Sequence, residues 1–384
     1  MLSRKATLAL LASGIFAVAA HAQQQGVTAS EVLLGEVEPL TGPPALLGIA
    51  YNVGTKVAIA EANAAGGVDG RKLRLITEDD GYVPTRTIQS VRKMIEVDKI
   101  FAFTSLSGSG QGLAVLPIVE KAGIPAMPAI GPVTGLYQPP RKSVFVVGQS
   151  YEEGMYQLVR HLATNFPGKK WGILTQDDDY GVALRTGFAR AQKEFKLNVV
   201  SEGEYKKGQQ DFSSEMLRVR AAGAEVFMAG GVIGENVAMV KELEKLGSKP
   251  VIGMFWPGRV TATLKLMGPA SDGIYAVDYV DPDNSATVAA FTERARKLVS
   301  EAEVKAMNRY TLAAYASTKL LIEAMRRCGK NLTWACTITE LEKTKNFESG
   351  VMGPISFGPG VRFSSQAVRI MKADFATLSF KPVQ

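Results

Sequence analysis

The feature that most narrows the possible folds is an alternation of short apolar runs with helical periods, which runs through most of this 384-residue chain and starts twice. Val32 to Val37 reads as a strand, and Gly48 to Ala65 as a helix with Val53, Val57, Ala60 and Ala64 on one face. A turn at Gly66 to Gly70 leads to a strand at Leu73 to Thr77 and a helix carrying Ile88, Val91 and Ile95. Strand Phe101 to Thr104, a Ser/Gly loop at 105–110 and a helix from Gln111 to Ala122 complete the first run. Strand and helix in strict succession imply a parallel sheet covered on both faces. The pattern restarts at Lys170 to Thr175, passes through a helix with Leu184, Phe188, Ala191 and Phe195, and repeats with strands at Val226 to Ala229 and Val251 to Phe255. The expected fold is therefore α/β with two parallel-sheet lobes, and the length suits two domains. Beyond Tyr279 we read two long helices and two short strands, Pro354 to Phe357 and Val368 to Ala373, which are too little sheet for a third domain and should complete the other two.

Residues 1–22 read as a secretory signal: Arg4 and Lys5 are basic, Leu8 to Ala20 is apolar, and Ala20-His21-Ala22 is a cleavage pattern. Cleavage after Ala22 and export to the periplasm are expected. Loss of the two basic residues lowers the formal net charge from +7 to +5. No Lys/Arg block is interleaved with aromatics, so nucleic acid is a poor partner. The only histidine left is His161, inside a helical segment, which leaves too little for a Ser-His-Asp triad or a His/Cys zinc site and argues against an enzyme. The two cysteines, Cys328 and Cys336, suit an oxidising compartment. A local disulfide across the Gly329 to Asn331 turn, just before a Thr337 to Glu340 capping box, is the expectation, and two buried thiols the alternative. Asp177 to Asp179 could cap a helix or hold a divalent metal, and capping is the ordinary role of aspartates at such turns.

Parallel α/β sheets bind ligands outside the carboxyl ends of their strands, where Pro39 to Gly48, Asp79 to Pro84 and Ser105 to Gly110 would converge. At the last of these, Ser107, Gly108, Ser109 and Gly110 precede a helix whose first N–H groups lack intrahelical partners. A carboxylate or phosphate could approach that backbone closely, although a tight turn alone would also select small residues. Gly108, Gly110 and Gly112 do not complete a dinucleotide fingerprint and no phosphate-binding P-loop occurs, so no cofactor is expected.

Several short patterns in fixed order resemble the periplasmic solute-binding proteins of the branched-chain amino-acid type, the type I binding proteins that serve ABC importers. They are Leu40-Thr-Gly42 with Gly48; Glu61, Asn63, Gly66, Gly67, Gly70 and Leu73; Glu78-Asp-Asp80; the loop at 107–110; Asp178-Asp-Tyr-Gly181; Asp211-Phe-Ser213; Gly230-Gly231; and Met352-Gly-Pro354 before Phe357-Gly358. The resemblance covers nearly all of the mature chain. It implies two Rossmann-like lobes, 23–147 plus 282–352 and 148–281 plus 353–384, joined by three crossover hinge segments near 146–150, 276–281 and 353–360. A small carboxylate ligand would sit between the lobes, with a membrane permease as the partner of a monomeric closed form.

Carried over residue by residue, the resemblance puts the ligand carboxylate at Ser109 with Gly110, backbone donors at Ala129, Ile130 and Gly131, and pocket rings at Tyr180 and Tyr310. Tyr151 adds a further aromatic near the cleft. Two positions depart from the amino-acid binders: Trp256 stands where they have a glutamate for the ammonium, and Leu47 where they often have tyrosine. An acid without an amine fits Trp256, because burying an unpaired ammonium is costly. An amino acid stays open if the rings hold its ammonium by cation–π contact or Glu235 reaches in from the next helix start. Delivery to a permease and presentation to a sensory membrane receptor are both compatible with this fold.

Overall fold

The computed structural model describes residues 24–128 and 130–383; the signal segment, its cleavage point and Ala129 lie outside the described residues. The first run forms β1 (Glu31–Glu38), α1 (Ala45–Ala64), β2 (Lys72–Asp79), α2 (Pro84–Glu96), β3 (Ala102–Leu106) and α3 (Ser109–Ala122). β1 lies between β2 and β3, parallel to both, and bridges through Phe103, Ala126 and Val144 carry the sheet further. The second run forms β4 (Val146–Gly148), α4 (Tyr151–Asn165), β5 (Lys170–Gln176), α5 (Asp179–Phe195), β6 (Asn198–Tyr205), α6 (Ser213–Ala221) and β7 (Val226–Gly230). It continues through α7 (Gly234–Lys245), β8 (Val251–Met254), α8 (Thr261–Met267) and β9 (Tyr275–Asp278). The remainder supplies α9 (Ala286–Ala295), α10 (Glu301–Ala306), α11 (Arg309–Cys328), α12 (Trp334–Glu342), β10 (Phe363–Ser365), β11 (Arg369–Asp374) and β12 (Ser379–Pro382). The second sheet has seven strands in the order β12-β11-β9-β8-β7-β5-β6.

Several expectations need correction. Pro354 to Phe357 is not a strand: Ile355 N–H donates to Phe347 O, Phe357 N–H to Thr344 O and Ser356 N–H to Ser364 Oγ, so no single ladder forms. Of the helices beyond Tyr279 only α11 is long; the others have 10, 6 and 9 residues. The second sheet is not wholly parallel, because β11 runs antiparallel to both β9 and β12. β6 was not anticipated. It is an edge strand exposed in part on both faces, and its sequence NVVSEGEY lacks the apolar run that marks a central strand.

The C-terminal helices return to the first sheet. α11 packs along α1 so closely that a Cβ on Gly54 would stand 2.2 Å from the Thr311 carbonyl oxygen, and Thr311 Oγ1 donates to Ala50 O at 2.9 Å. Glycine at 54 is what permits that approach. Cys328, the last residue of α11, is disulfide-bonded to Cys336. The cap of α12 is Thr333, whose hydroxyl accepts from Cys336 N–H, so Cys336 lies in the first turn of that helix and Thr337 within it, not at its cap. The helix cap thus lies four residues before the predicted one and is a single Thr333 bond, not a capping box.

Three passages of chain connect the two sheets, and they run side by side. β4 pairs with β10 in parallel, Gln149 Nε2 donates to Gln366 O at 2.8 Å, and Arg369 ion-pairs with Asp281 at 3.1 Å. Beneath them lies an ion cluster of Asp278, Arg259 and Arg309, all fully buried, with the half-buried Asp283 at its edge. Arg309 of α11 donates from Nε and Nη2 to Asp278 at 2.8 Å each, Arg259 Nε donates to the same carboxylate, and Arg259 Nη1 reaches Asp283 at 3.2 Å. Burial pushes the Asp278 carboxyl up, but the two guanidiniums outweigh it and hold it at about 2.

Asp278→Ala leaves two buried guanidiniums uncompensated and should cost about 3–5 kcal/mol in urea unfolding. Because the folded carboxyl sits at about 2, below the unfolded value of about 3.9, its contribution is complete above the unfolded pKa and lost as pH falls through that window; Asp278→Asn should flatten that part of the acid slope. Reducing Cys328–Cys336, which closes a loop with a sequence separation of 8, should lower stability by about 2–3 kcal/mol. Intact mass with and without reductant checks the pairing, since alkylation before reduction should add nothing.

Candidate functional site

The carboxyl ends of β1, β2 and β3 face those of β5, β6, β7 and β8, and the lobes are closed on each other. Lys207, after β6, donates from Nζ to Tyr82 O at 2.6 Å and stacks over the Tyr82 ring at 3.5 Å. Burial draws the Lys207 ammonium below its ordinary range. Between them remains a cavity of about 70 Å³ lined by Pro43, Pro44, Gly81 and Tyr82 on one side and by Gln176, Lys207, Gly208, Val232 and Glu235 on the other. Burial raises the Glu235 pKa, against backbone N–H groups at the start of α7 that lower it.

Ser109 is the first residue of α3 and is buried. Gly108 precedes it in extended geometry without a side-chain cap, so the helix dipole and its leading N–H groups are offered to the cleft. Gly131 lies directly against Ser109: a Cβ there would come within 2.6 Å of Ser109 N and 2.8 Å of its Oγ. Only glycine leaves that space open. Gly110 faces Asp179 of the opposite lobe, where a Cβ would stand 3.1 Å from Oδ2. Ser107 adopts a left-handed φ of 61°, which turns the loop, and its buried hydroxyl has no partner.

Four of the predicted rings and contacts come together. The Tyr151 hydroxyl donates to Ile130 O at 3.0 Å; burial pushes its pKa up, and the adjacent Ser109 hydroxyl opposes that rise. The Tyr151 ring meets Tyr180 edge-on at 5.0 Å and lies 5.1 Å from Trp256. Tyr180 donates to Gly231 O at 3.2 Å, which ties the aromatic cluster to the end of β7. Trp256 sits in a short 3-10 turn after β8, fully buried against Phe255 and Tyr279. Tyr310, the second residue of α11, is also buried, and its hydroxyl has no partner. Leu47 is buried in the first turn of α1. Neither it nor Ser109, Gly110, Ile130, Gly131, Tyr151, Tyr180, Trp256 or Tyr310 lines the small cavity, which Pro43 and Pro44 reach just before Leu47. Ala129 lies outside the described residues.

The acidic run at 177–179 is divided among structural tasks. Asp178 caps α5 by accepting from Gly181 N–H at 3.1 Å, and Asp177 pairs with Lys206. Among the described residues no group of His, Cys, Asp and Glu is arranged to hold a metal ion. His161 packs by Tyr275 on α4, and burial lowers its pKa. Among the described residues no helix is long and apolar enough to cross a membrane.

Sequence reasoning missed Tyr82, Lys207, Glu38, Gln176 and Arg309. Glu38 ends β1 fully buried and without an ion pair; burial, then the neighbouring Glu36, raises its pKa well above the usual range, and the Ser105 hydroxyl opposes that rise. Buried polar atoms without partners gather around this cleft: Ser107 Oγ, Gln111 Nε2, Gln176 Oε1, Trp256 Nε1 and the Tyr310 hydroxyl. Unsatisfied groups are rare in packed interiors, and their clustering marks a place where another molecule would complete the bonding. Glu36 and Glu38, at the carboxyl end of a strand whose middle is apolar, were a readable signal. Arg309 had none, since its partner is 31 residues away.

Comparison with known proteins agrees with this geometry. The family model for periplasmic binding proteins matches residues 31–377. An amino acid binding protein of Pseudomonas aeruginosa is 27% identical over 335 residues, which cover 86% of this chain and 86% of the relative. A branched-chain amino acid ABC transporter protein from Thermus thermophilus, solved with bound valine, superposes with a TM-score of 0.83 at 21% identity, over 92% of this chain and 96% of that one. A solute-binding protein of an ABC transporter from R. palustris, in complex with 4-hydroxybenzoate, gives 0.81 at 18% identity, over 92% and 95%. The fold is thus the type I arrangement, with two α/β lobes joined by three crossovers. The chain belongs to the periplasmic binding protein family, a family of binding proteins and not of enzymes.

Proposed function

We propose that this protein is the exported receptor of an ABC importer, and that it captures a small acid by closing its lobes, 23–147 plus 282–352 and 148–281 plus 353–384, on the ligand carboxylate. The observation that carries the reading is Ser109: a buried hydroxyl at the start of α3, with Gly131 opening the space beside it and Tyr151 across from it. A helix start offers N–H donors and a positive dipole end to an anion. Ile130 and Gly131 border the same point, and Tyr180 and Tyr310 supply apolar walls.

The body of the ligand is apolar or aromatic and carries no ammonium. Support comes from Trp256, which packs among Tyr151, Phe255 and Tyr279 where an amino-acid receptor needs a carboxylate. An ammonium buried there unpaired would cost several kcal/mol, on the order of the penalty for any uncompensated buried charge. Solved neighbours of this fold hold valine in one case and 4-hydroxybenzoate in another, so the fold accommodates both chemistries. Glu235 on the cavity wall is the specific feature that favours an amino acid instead.

Calorimetry with leucine, valine and phenylalanine beside benzoate-type, phenylacetate-type and 2-oxo acids separates the two. The expected result is binding of amine-free acids; tight binding of leucine without response to its 2-oxo analogue would overturn the reading. Ser109→Ala should weaken the bound acid by about 1.5–3 kcal/mol, or roughly ten- to a hundredfold. Lys207→Ala removes a contact that exists only when the lobes meet. It should lower affinity about fivefold, equivalent to about 1 kcal/mol, and enlarge the ligand-free radius of gyration in solution scattering while leaving unfolding unchanged.

A further inference from the structure

The surroundings of Trp256 go a step beyond the carboxylate anchor, and the inference rests on that anchor reading. Trp256 Nε1 and the Tyr310 hydroxyl are completely buried, and neither has a partner. Arg309 stands beside both, its guanidinium carbon 5.9 Å from the Trp256 ring and 4.6 Å from the Tyr310 ring. Its Nε and Nη2 are engaged by Asp278, and the Tyr279 phenol is a further hydrogen-bond partner of the guanidinium. An indole N–H can only donate, and a phenol can donate as well. Trp256 Nε1 and the Tyr310 hydroxyl therefore offer hydrogens with no committed acceptor. The nearest carboxylate, Asp278, already accepts from two arginines.

We propose that this cluster is a second pole of the ligand site and takes an acceptor oxygen, a hydroxyl or a second carboxylate, on the same acid whose first carboxylate is held at Ser109. Tyr151 relates the two poles. Its hydroxyl end lies at Ile130 O beside Ser109, and its ring lies 5.1 Å from Trp256, so the poles are separated by about the length of one aromatic side chain. The ligand class is thus a carboxylic acid with an oxygen function on the far side of a ring-sized apolar body. An ammonium in that position would set donor against donor and place a positive charge next to Arg309.

The test is calorimetry of the mature protein with benzoate, 3-hydroxybenzoate, 4-hydroxybenzoate, terephthalate and 4-(aminomethyl)benzoate. At least one oxygen-bearing acid should bind about tenfold more tightly than benzoate, and the aminomethyl acid should bind more weakly than benzoate. In Tyr310→Phe and, separately, Trp256→Phe, the preference for oxygen over hydrogen should shrink to about threefold or less. Two variants are used because Trp256 is packed on all sides and its replacement could loosen the fold. Equal binding of all five acids, tightest binding of the aminomethyl acid, or an unchanged preference in both variants overturns the inference. Silence of all five also overturns it, while the anchor stands or falls separately on Ser109→Ala.

Discussion

Asp278 clasped by Arg259 and Arg309 is the interaction on which the rest of the molecule depends. It ends β9, the last parallel strand of the second sheet, and Arg309 opens the helix that packs on α1 in the first lobe. All three side chains are completely buried. Isolated, each would carry a large desolvation penalty, and the attraction offsets it only because the geometry is bidentate and Tyr279 N–H supplies a further bond at 2.7 Å. Such a cluster adds little stability over a well-packed apolar one, but it is intolerant of displacement. It fixes where α11 meets β9, which on the proposed closure is the pivot about which the lobes would turn.

Around that pivot the chain spends polar groups freely. The cleft holds a serine with left-handed backbone, a glutamate without an ion pair and several orphaned donors within a few side chains of one another. In a permanently closed interior these would be selected against, since each unmet group costs about 1–3 kcal/mol. On the proposed closure they are tolerable, because lobes that part would admit water to them. Several contacts join the lobes as they stand, Lys207 on Tyr82, Tyr151 on Ile130 O and Thr134 on Glu152. A closed state that is internally unsatisfied is one that a ligand can bias.

The lobes were legible in the sequence because parallel strands buried on both faces write themselves as apolar runs, as Ala102–Leu106 and Val226–Gly230 do. So was the small-residue loop before α3, since small residues ahead of a helical period have a local physical meaning. β6 was not, because an edge strand needs no apolar run, and Pro354 to Phe357 misled because apolar residues can be buried by irregular contacts. Tyr82, Lys207 and Arg309 were invisible for another reason. Their roles exist only across the cleft, between residues 31 to 125 positions apart, and no periodicity encodes such a meeting.

Arg309 links the pivot to the site. Two of its nitrogens hold Asp278 at the crossover, and its guanidinium carbon lies 4.6 Å from the ring of Tyr310, the next residue. A ligand group that drew on the Tyr310 hydroxyl would act directly beside the side chain that holds Asp278. A guanidinium is planar and rigid, so a bond made at one edge constrains the other. Binding and closure would then be coupled through a single side chain, without a chain of intermediates between them. The coupling would also be directional, since an acceptor on the ligand stabilises Arg309 where it already sits, whereas a donor or a cation would push it off Asp278 and loosen the pivot that the closed form requires.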